Sequence, residues 1–223
     1  VMNISKNTID ILKNYATINP SVYVKKGNVI ATISPQKTIM SFCEVEETFP
    51  ENFAIYELSR FLGVVSLFED PSYEFMEEKV KIKSNKHSVL YRYAEPSMII
   101  TPPEKEITLP EDNITDVTVS WSDIQKVMRG ASILSKPQIR FSVKRNKIYM
   151  EAVDTKDMSG DNYSIVVDEY GEDVDINEMD YIFKIENMKL IEGDYNISLS
   201  PKGLARFKCT TKPITYFIAL EAK

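Results

Sequence analysis

The sequence predicts an α+β protein built of two similar domains, each of antiparallel sheets with two short helices. Three observations predict it. Short runs alternating between apolar and polar residues recur along the chain, separated by turn residues, as hairpins require. A segment with four prolines, "EPSMIITPPEKEITLPEDN" at 95–113, interrupts them near the middle. After that segment the order of elements begins again, which is the mark of an internal repeat.

Taken in order, residues 5–17 read as an amphipathic helix with Ile9, Leu12 and Ala16 on its apolar side. "VYVKKGNVIAT" reads as a hairpin around Lys26-Gly27-Asn28, and "TIMSFCEVEE" as a half-buried strand. "FAIYELSRFLGVVSLF" reads as strand, short helix and strand. "EFMEEKVKIKSNKHSVLYRY" has two alternating arms around Ser84-Asn85-Lys86. The prolines of 95–113 exclude a helix and a central strand, so this stretch is expected to be an extended connector. The expected division is 2–94, a connector at 95–117, and 118–223, with Met2 as the natural start.

The second half repeats the order. Residues 120–134 form a helix, "QIRFSVKRNKIYMEAV" a hairpin around Arg145-Asn146, and "YSIVVDEY" a strand. "DYIFKIENMKLIEGDYNISLS" reads as strand, short helix and strand, and "ARFKCTTKPITYFIALEA" as a closing hairpin. Ser5, Ile9, Ala16 and Ile18 fall on Ser120, Ile124, Ala131 and Ile133 at one common offset of 115. "YELSRFLG" and "IENMKLIEG" match in pattern, with Glu57 on Glu186, Arg60 on Lys189 and Phe61 on Leu190.

Composition narrows the function. With 43% hydrophobic and 27% charged residues the chain is expected to fold rather than stay disordered. A net charge of -6 argues against a protein that coats nucleic acid over its whole surface, though not against a local basic patch. No apolar run approaches the roughly 20 residues of a membrane span, and no signal segment opens the chain. Cys43 and Cys209 match no metal or redox spacing; both lie in strand-like runs and are expected to be buried free thiols in a reducing compartment.

The charges are segregated by element. On the second-half helix Ile124, Val127, Met128, Ala131 and Leu134 fill an arc of about 120°, opposite Ser122, Gln125, Lys126, Arg129 and Ser132. On the first helix Lys6, Asp10, Lys13 and Thr17 lie opposite the apolar side. Arg60 and Lys189 add a cation to each of the other two helices, while "CEVEETFPE", "FEDPSYEFMEE" and "VDEYGEDVDINEMD" are acidic. Solvated helix faces are often charged for no further reason. The same bias in repeated positions, without stacking aromatics on the basic faces, points instead to phosphate contact without base reading.

Two other classes compete. An enzyme finds little support: His87 is the only histidine and sits in a polar turn. There is no nucleophile–base grouping, phosphate-cradling glycine loop or two-histidine zinc motif. Asp173, Asp175 and Asn177 have calcium-loop spacing, but Glu178 and Lys184 stand where that loop needs Gly and Glu, so no metal site is expected. A metal-dependent nuclease therefore stays a minor alternative. A single-stranded nucleic-acid-binding replication protein is the other alternative, with "YRY" at 91–93 as its best stacking patch. Strand aromatics more often pack a sheet.

The segments "LKNYATIN", "FAIYELSRFLGVVSL", "IENMKLIEGDYNISL" and "YFIALEA" carry a resemblance that spans the whole chain. The chain resembles the DNA polymerase sliding clamps of T-even-type bacteriophages. The resemblance implies a DNA clamp fold, assembled head to tail as a homotrimer into a closed ring, with helices lining the hole and sheets outside. Duplex DNA would pass through without base-specific contacts, placing Lys6, Lys13, Arg60, Gln125, Lys126, Arg129 and Lys189 toward it. It implies a non-catalytic processivity factor without cofactor or membrane, working in the cytoplasm of an infected bacterial host. Its expected partners are DNA polymerase, a clamp-loader ATPase and the late-transcription machinery. A partner-peptide groove is expected from Ile100, Pro102, Ile107 and Leu109 of the connector with Phe217, Ile218 and Leu220 of the last strand. Three copies carry about -18, which discourages DNA from the acidic outside.

Overall fold

A computed structural model describes residues 1–110, 112–170 and 179–222. The chain divides into two compact units, 1–106 and 107–223.

The first unit runs β1 (Met2–Asn3), α1 (Lys6–Ile18), β2 (Val22–Val24), β3 (Gly27–Ile33), β4 (Ile39–Phe49), β5 (Phe53–Ile55), α2 (Leu58–Val65), β6 (Ser72–Phe75), β7 (Lys79–Ser84) and β8 (His87–Arg92). Strands β1, β6, β7 and β8 form an antiparallel sheet in that order. β3 and β4 form a long hairpin whose register shifts after Gly27. The hairpin expected between β2 and β3 is not made: β2 pairs with β5 instead, Val22 opposite Ile55. Gly27 takes a φ of 122°, open to glycine, and lets the chain step from one pairing to the other. The core gathers Tyr15, Ile30, Ile39, Val80 and Ile82, with Phe49 edge-on to Phe53 at 5.5 Å and to Phe75 at 5.9 Å.

The second unit runs β9 (Thr115–Val119), α3 (Trp121–Ile133), β10 (Gln138–Lys144), β11 (Lys147–Val153), β12 (Tyr163–Glu169), β13 (Asp180–Lys184), β14 (Tyr195–Ser200), β15 (Leu204–Cys209) and β16 (Ile214–Ala219). One sheet has the order β12-β11-β10-β13, and β9, β14, β15 and β16 form successive antiparallel ladders. The turn between β10 and β11 places Arg145 and Asn146 at positive φ, as a two-residue hairpin turn demands. Phe141, Phe183 and Phe207 meet edge to face in the core. Cys43 and Cys209 are buried free thiols, as expected.

The fold is α+β with antiparallel sheets in both halves, but the helices are not two and two. Among its described residues the second unit has one α-helix; "IENMKLI" makes only a 3-10 turn at Ile185–Asn187. Tertiary hydrogen bonds explain the difference. The Ile185 N–H donates to Pro137 O, and the Ile191 N–H donates to the Tyr216 hydroxyl at 3.1 Å. These backbone donors serve the sheets rather than a helical ladder. Among its described residues the connector is irregular apart from a 3-10 turn at Pro96–Met98, and β9 already begins at Thr115.

Candidate nucleic-acid interface

The solvent faces of the three α-helices hold six of the seven residues expected to face DNA. α1 begins at N-cap Ser5, whose hydroxyl accepts the Thr8 N–H at 3.2 Å. α3 begins at N-cap Ser120 in the same way, accepting the Asp123 N–H at 3.2 Å. Both helices are 13 residues long, so the offset of 115 relates their ends as well as their caps.

A carboxylate from outside the helix anchors each N-terminus, one from a strand and one from the loop before β14. Glu47 of β4 accepts the Ser5 N–H and the Thr8 hydroxyl, the latter at 2.5 Å. Burial pushes the Glu47 carboxyl up, but the bonds from Thr8 and Ser5 outweigh this and hold it below its ordinary value. Asp194 accepts the Trp121 N–H at 2.7 Å. A carboxylate is favourable at either place because unpaired N–H groups point toward it.

α1 buries Thr8, Ile11, Leu12, Tyr15 and Ile18. Of the residues expected on its apolar side Leu12 is buried, while Ile9 and Ala16 are only half-buried flanks. Lys6 and Lys13 stand exposed, opposite the buried centre. α2 buries Leu58, Phe61, Leu62 and Val65, packs beside α1, and presents Arg60 to solvent. α3 buries Ile124, Val127, Gly130 and Ala131 against β10, β11 and β12, and presents Gln125, Lys126 and Arg129. Ile133 was expected to match buried Ile18, yet it is 77% exposed among these polar residues. Lys189 is the seventh residue. It lies half-buried beyond the 3-10 turn, not on a helix.

Helix cations carry acids on the same face. Lys13 is 3.9 Å from Asp10, Arg60 is 3.6 Å from Glu57, and Lys126 is 3.8 Å from Asp123. Such exposed pairs are worth roughly 0–1 kcal/mol and exchange readily with other partners.

The residues expected to bind a partner peptide divide by burial. Ile218 has no accessible surface, and Leu109 and Phe217 have little, so these three pack the protein's own core. Ile100 is exposed, and Pro102, Ile107 and Leu220 are half-buried. In the first unit Pro102 and Pro103 help close a hollow of about 310 Å³ over Tyr23, Ala31 and Phe42. Its rim carries the Lys25–Glu104 pair, 3.4 Å apart. Sequence reasoning missed this hollow because its floor comes from separate strands.

Among the described residues no three acidic, histidine or cysteine side chains gather into a metal-holding group. Asp173, Asp175, Asn177 and Glu178 of the calcium-like spacing lie outside the described residues. His87 is exposed at the start of β8. Tyr91 and Tyr93 of "YRY" are half-buried; Tyr91 packs edge-on to Phe61 at 5.2 Å and Tyr93 stacks on Phe53 at 5.6 Å. No helix among the described residues is long and apolar enough to cross a membrane.

The family described as DNA polymerase processivity factor matches residues 5–101, and the one described as gp45 sliding clamp, C terminal, matches 116–222. The sliding clamp of Vibrio phage KVP40 is 30% identical over 226 residues, covering 99% of this chain and 100% of its own length. That of Enterobacteria phage T4 is 29% identical over 230 residues, covering 99% and 97%. Among solved structures, PCNA of A. fulgidus covers all of this chain and 98% of its own at a TM-score of 0.73 and 13% identity. The H. pylori beta clamp bound to a DNA ligase peptide superposes on all of this chain and 65% of its own length, with a TM-score of 0.71 and 14% identity.

Proposed function

The chain belongs to the sliding-clamp family of DNA polymerase processivity factors, and from that premise we propose that three copies close head to tail around duplex DNA and hold a replicative polymerase on it. The observation that carries the proposal is the division of each helix. The apolar faces of α1, α2 and α3 are taken up by packing, and the faces left to solvent present Lys6, Lys13, Arg60, Gln125, Lys126 and Arg129. Flexible cations without base-stacking partners meet phosphates at any sequence, which suits a ring that must slide.

Two free sheet edges supply the closure. Among the described residues β8 has one ladder partner, β7, and β12 has one, β11. Each exposes an apolar residue, Leu90 at 55% and Val166 at 45%. Lys79, Lys81, Lys83 and Arg92 make the β7–β8 side basic, whereas Asp161, Asp168 and Glu169 make the β12 side acidic. In our reading β8 of one copy lies along β12 of the next, which removes both edges and pairs opposite charges. Leu90→Asp then converts a species near three times 25.6 kDa in light scattering into one near 25.6 kDa. A variant that keeps the larger mass refutes this closure.

The remaining roles follow from the same reading. The clamp is non-catalytic and acts in the cytoplasm of an infected bacterium. A clamp-loader ATPase opens it, and late transcription uses it as a mobile platform. A short apolar peptide of the polymerase docks beside the connector, where Ile100, Pro102, Ile107 and Leu220 keep accessible surface, whereas Leu109, Phe217 and Ile218 are buried. Ile107→Ser weakens binding of that peptide without unfolding the chain. For the DNA face, Lys126→Glu with Arg129→Glu reverses two cations per copy, a change of about -12 over three copies. Processivity on circular duplex should fall, more at low salt than at high salt and equally for unrelated sequences. Full processivity at low salt would overturn the DNA-facing reading.

A further inference from the structure

In each of the three α-helices a solvent-facing cation has a carboxylate three residues before it. Asp10 precedes Lys13, Glu57 precedes Arg60, and Asp123 precedes Lys126, at 3.6–3.9 Å. All six side chains are exposed, from 38% to 73%. Lys6 and Arg129 share the same faces but have no such acid. We propose that Asp10, Glu57 and Asp123 are attenuating residues, which give these cations an exchangeable partner in place of DNA phosphate and so lower the barrier to sliding.

The physics is a competition between two like acceptors. Carboxylate and phosphate both offer anionic oxygens, and the acid is tethered beside the cation whether or not DNA is there. A cation leaving one phosphate therefore falls back on its own carboxylate instead of waiting unpaired. The N–O distances are those of loose pairs, longer than a tight charge-assisted hydrogen bond, so each exchange costs little. Helix stability offers another account of these acids. Glu57 is the N-cap position of α2 and Asp123 lies in the first turn of α3, where negative charge offsets the helix dipole. Asp10 lies beyond the first turn of α1, where that account is weakest, yet it makes the same pair.

The inference rests on the DNA-facing reading, and its test separates the two. The probe is a labelled duplex of random sequence, titrated with the full chain between 50 and 200 mM NaCl. The variant is Asp10→Asn, Glu57→Gln and Asp123→Asn together. Its matched control is Glu104→Gln, Asp112→Asn and Asp157→Asn, which relieves Lys25, Lys202 and Lys136 of exposed carboxylates off the helices for the same charge change. The helix variant should bind about three- to tenfold more tightly at 50 mM, with a log–log salt slope steeper by at least about 1. It should also diffuse more slowly along stretched duplex, while the control stays within about twofold of the parent. An unchanged slope in the helix variant overturns the proposal, even if Lys126→Glu with Arg129→Glu weakens binding and so upholds the DNA-facing reading. An equal gain in the control overturns it as well, because net charge alone then explains binding. If neither the acid nor the cation variants alter binding, both readings fall.

Discussion

α1 and α3 share length, N-cap residue, capping bond and an offset of 115, yet they do not bury the same face. Placed on one helical wheel, the buried centre of α3 is turned about 70° from that of α1. The position of Tyr15 shows how. Tyr15 is fully buried, and its hydroxyl hydrogen-bonds the Ser41 hydroxyl at 3.0 Å under the β3–β4 hairpin. At the same offset α3 has Gly130, and the bulk comes from the other side: a Cβ at Gly130 would stand 2.6 Å from the Tyr163 ring of β12. One helix sends a tyrosine into its sheet and the other receives a tyrosine from its sheet. The rotation buries Ile18 but exposes Ile133, and buries Ile11 where α3 exposes Lys126. A repeated helix thus keeps its ends while its packing face is free to turn.

The largest effect should come from the tyrosine that α1 contributes. Tyr15→Ala empties a fully buried aromatic site and removes its hydroxyl bond, and should cost about 3–5 kcal/mol in urea unfolding. A loss below about 1 kcal/mol would mean the hairpin collapses onto the helix. Gly130→Ala tests the reverse arrangement. The methyl group meets Tyr163 too closely, so a loss of about 1–3 kcal/mol is expected. In a Tyr163→Ala background the same change should cost much less, and equal costs in both backgrounds would reject the contact as the cause.

The N-terminal anchors give a smaller, pH-dependent effect. Glu47→Gln should cost about 1–2 kcal/mol at pH 7, since it replaces charge-assisted bonds to Ser5 and Thr8. The folded carboxyl lies below its ordinary value, so its contribution is complete above the unfolded pKa of about 4.3 and is lost as pH falls through the folded value. The gap between parent and variant should therefore close below about pH 4. A gap that widens on acidification would contradict the bonding. The smallest effect separates the two isoleucines: Ile133→Ser should change stability by no more than about 0.5 kcal/mol, whereas Ile18→Ser should cost several times that. Equal losses would refute the rotation.

Most of the strand and turn positions could be read along the chain, because alternation and turn residues act locally. The Arg145-Asn146 and Ser84-Asn85-Lys86 turns lie where the residues foretell them. The apolar side of α1 is legible only in part: Leu12 is buried as expected, but Ile9 and Ala16 are half-buried flanks. Ile11, Tyr15 and Ile18 hold that side with Leu12. The candidate site was legible where it depended on exposure: Lys6, Lys13, Arg60, Lys126 and Arg129 are solvent-facing. It was not legible at Lys189, where the Tyr216 hydroxyl and Pro137 carbonyl draw nearby backbone away from a helix.

By itself, the sequence determined that the chain repeats, that it is mainly antiparallel sheet, and that its helices carry cations opposite their apolar sides. Each of these follows from short-range spacing, which sets period, caps and turns before any tertiary contact forms. The tertiary structure alone decided that β2 pairs with β5 and that "IENMKLI" stops at a 3-10 turn. It also decided which third of each helix is buried, and that the hollow beside Pro102 exists. These depend on residues far apart in the chain, where one bulky side chain such as Tyr163, or one distant acceptor such as Tyr216, outweighs the local preference.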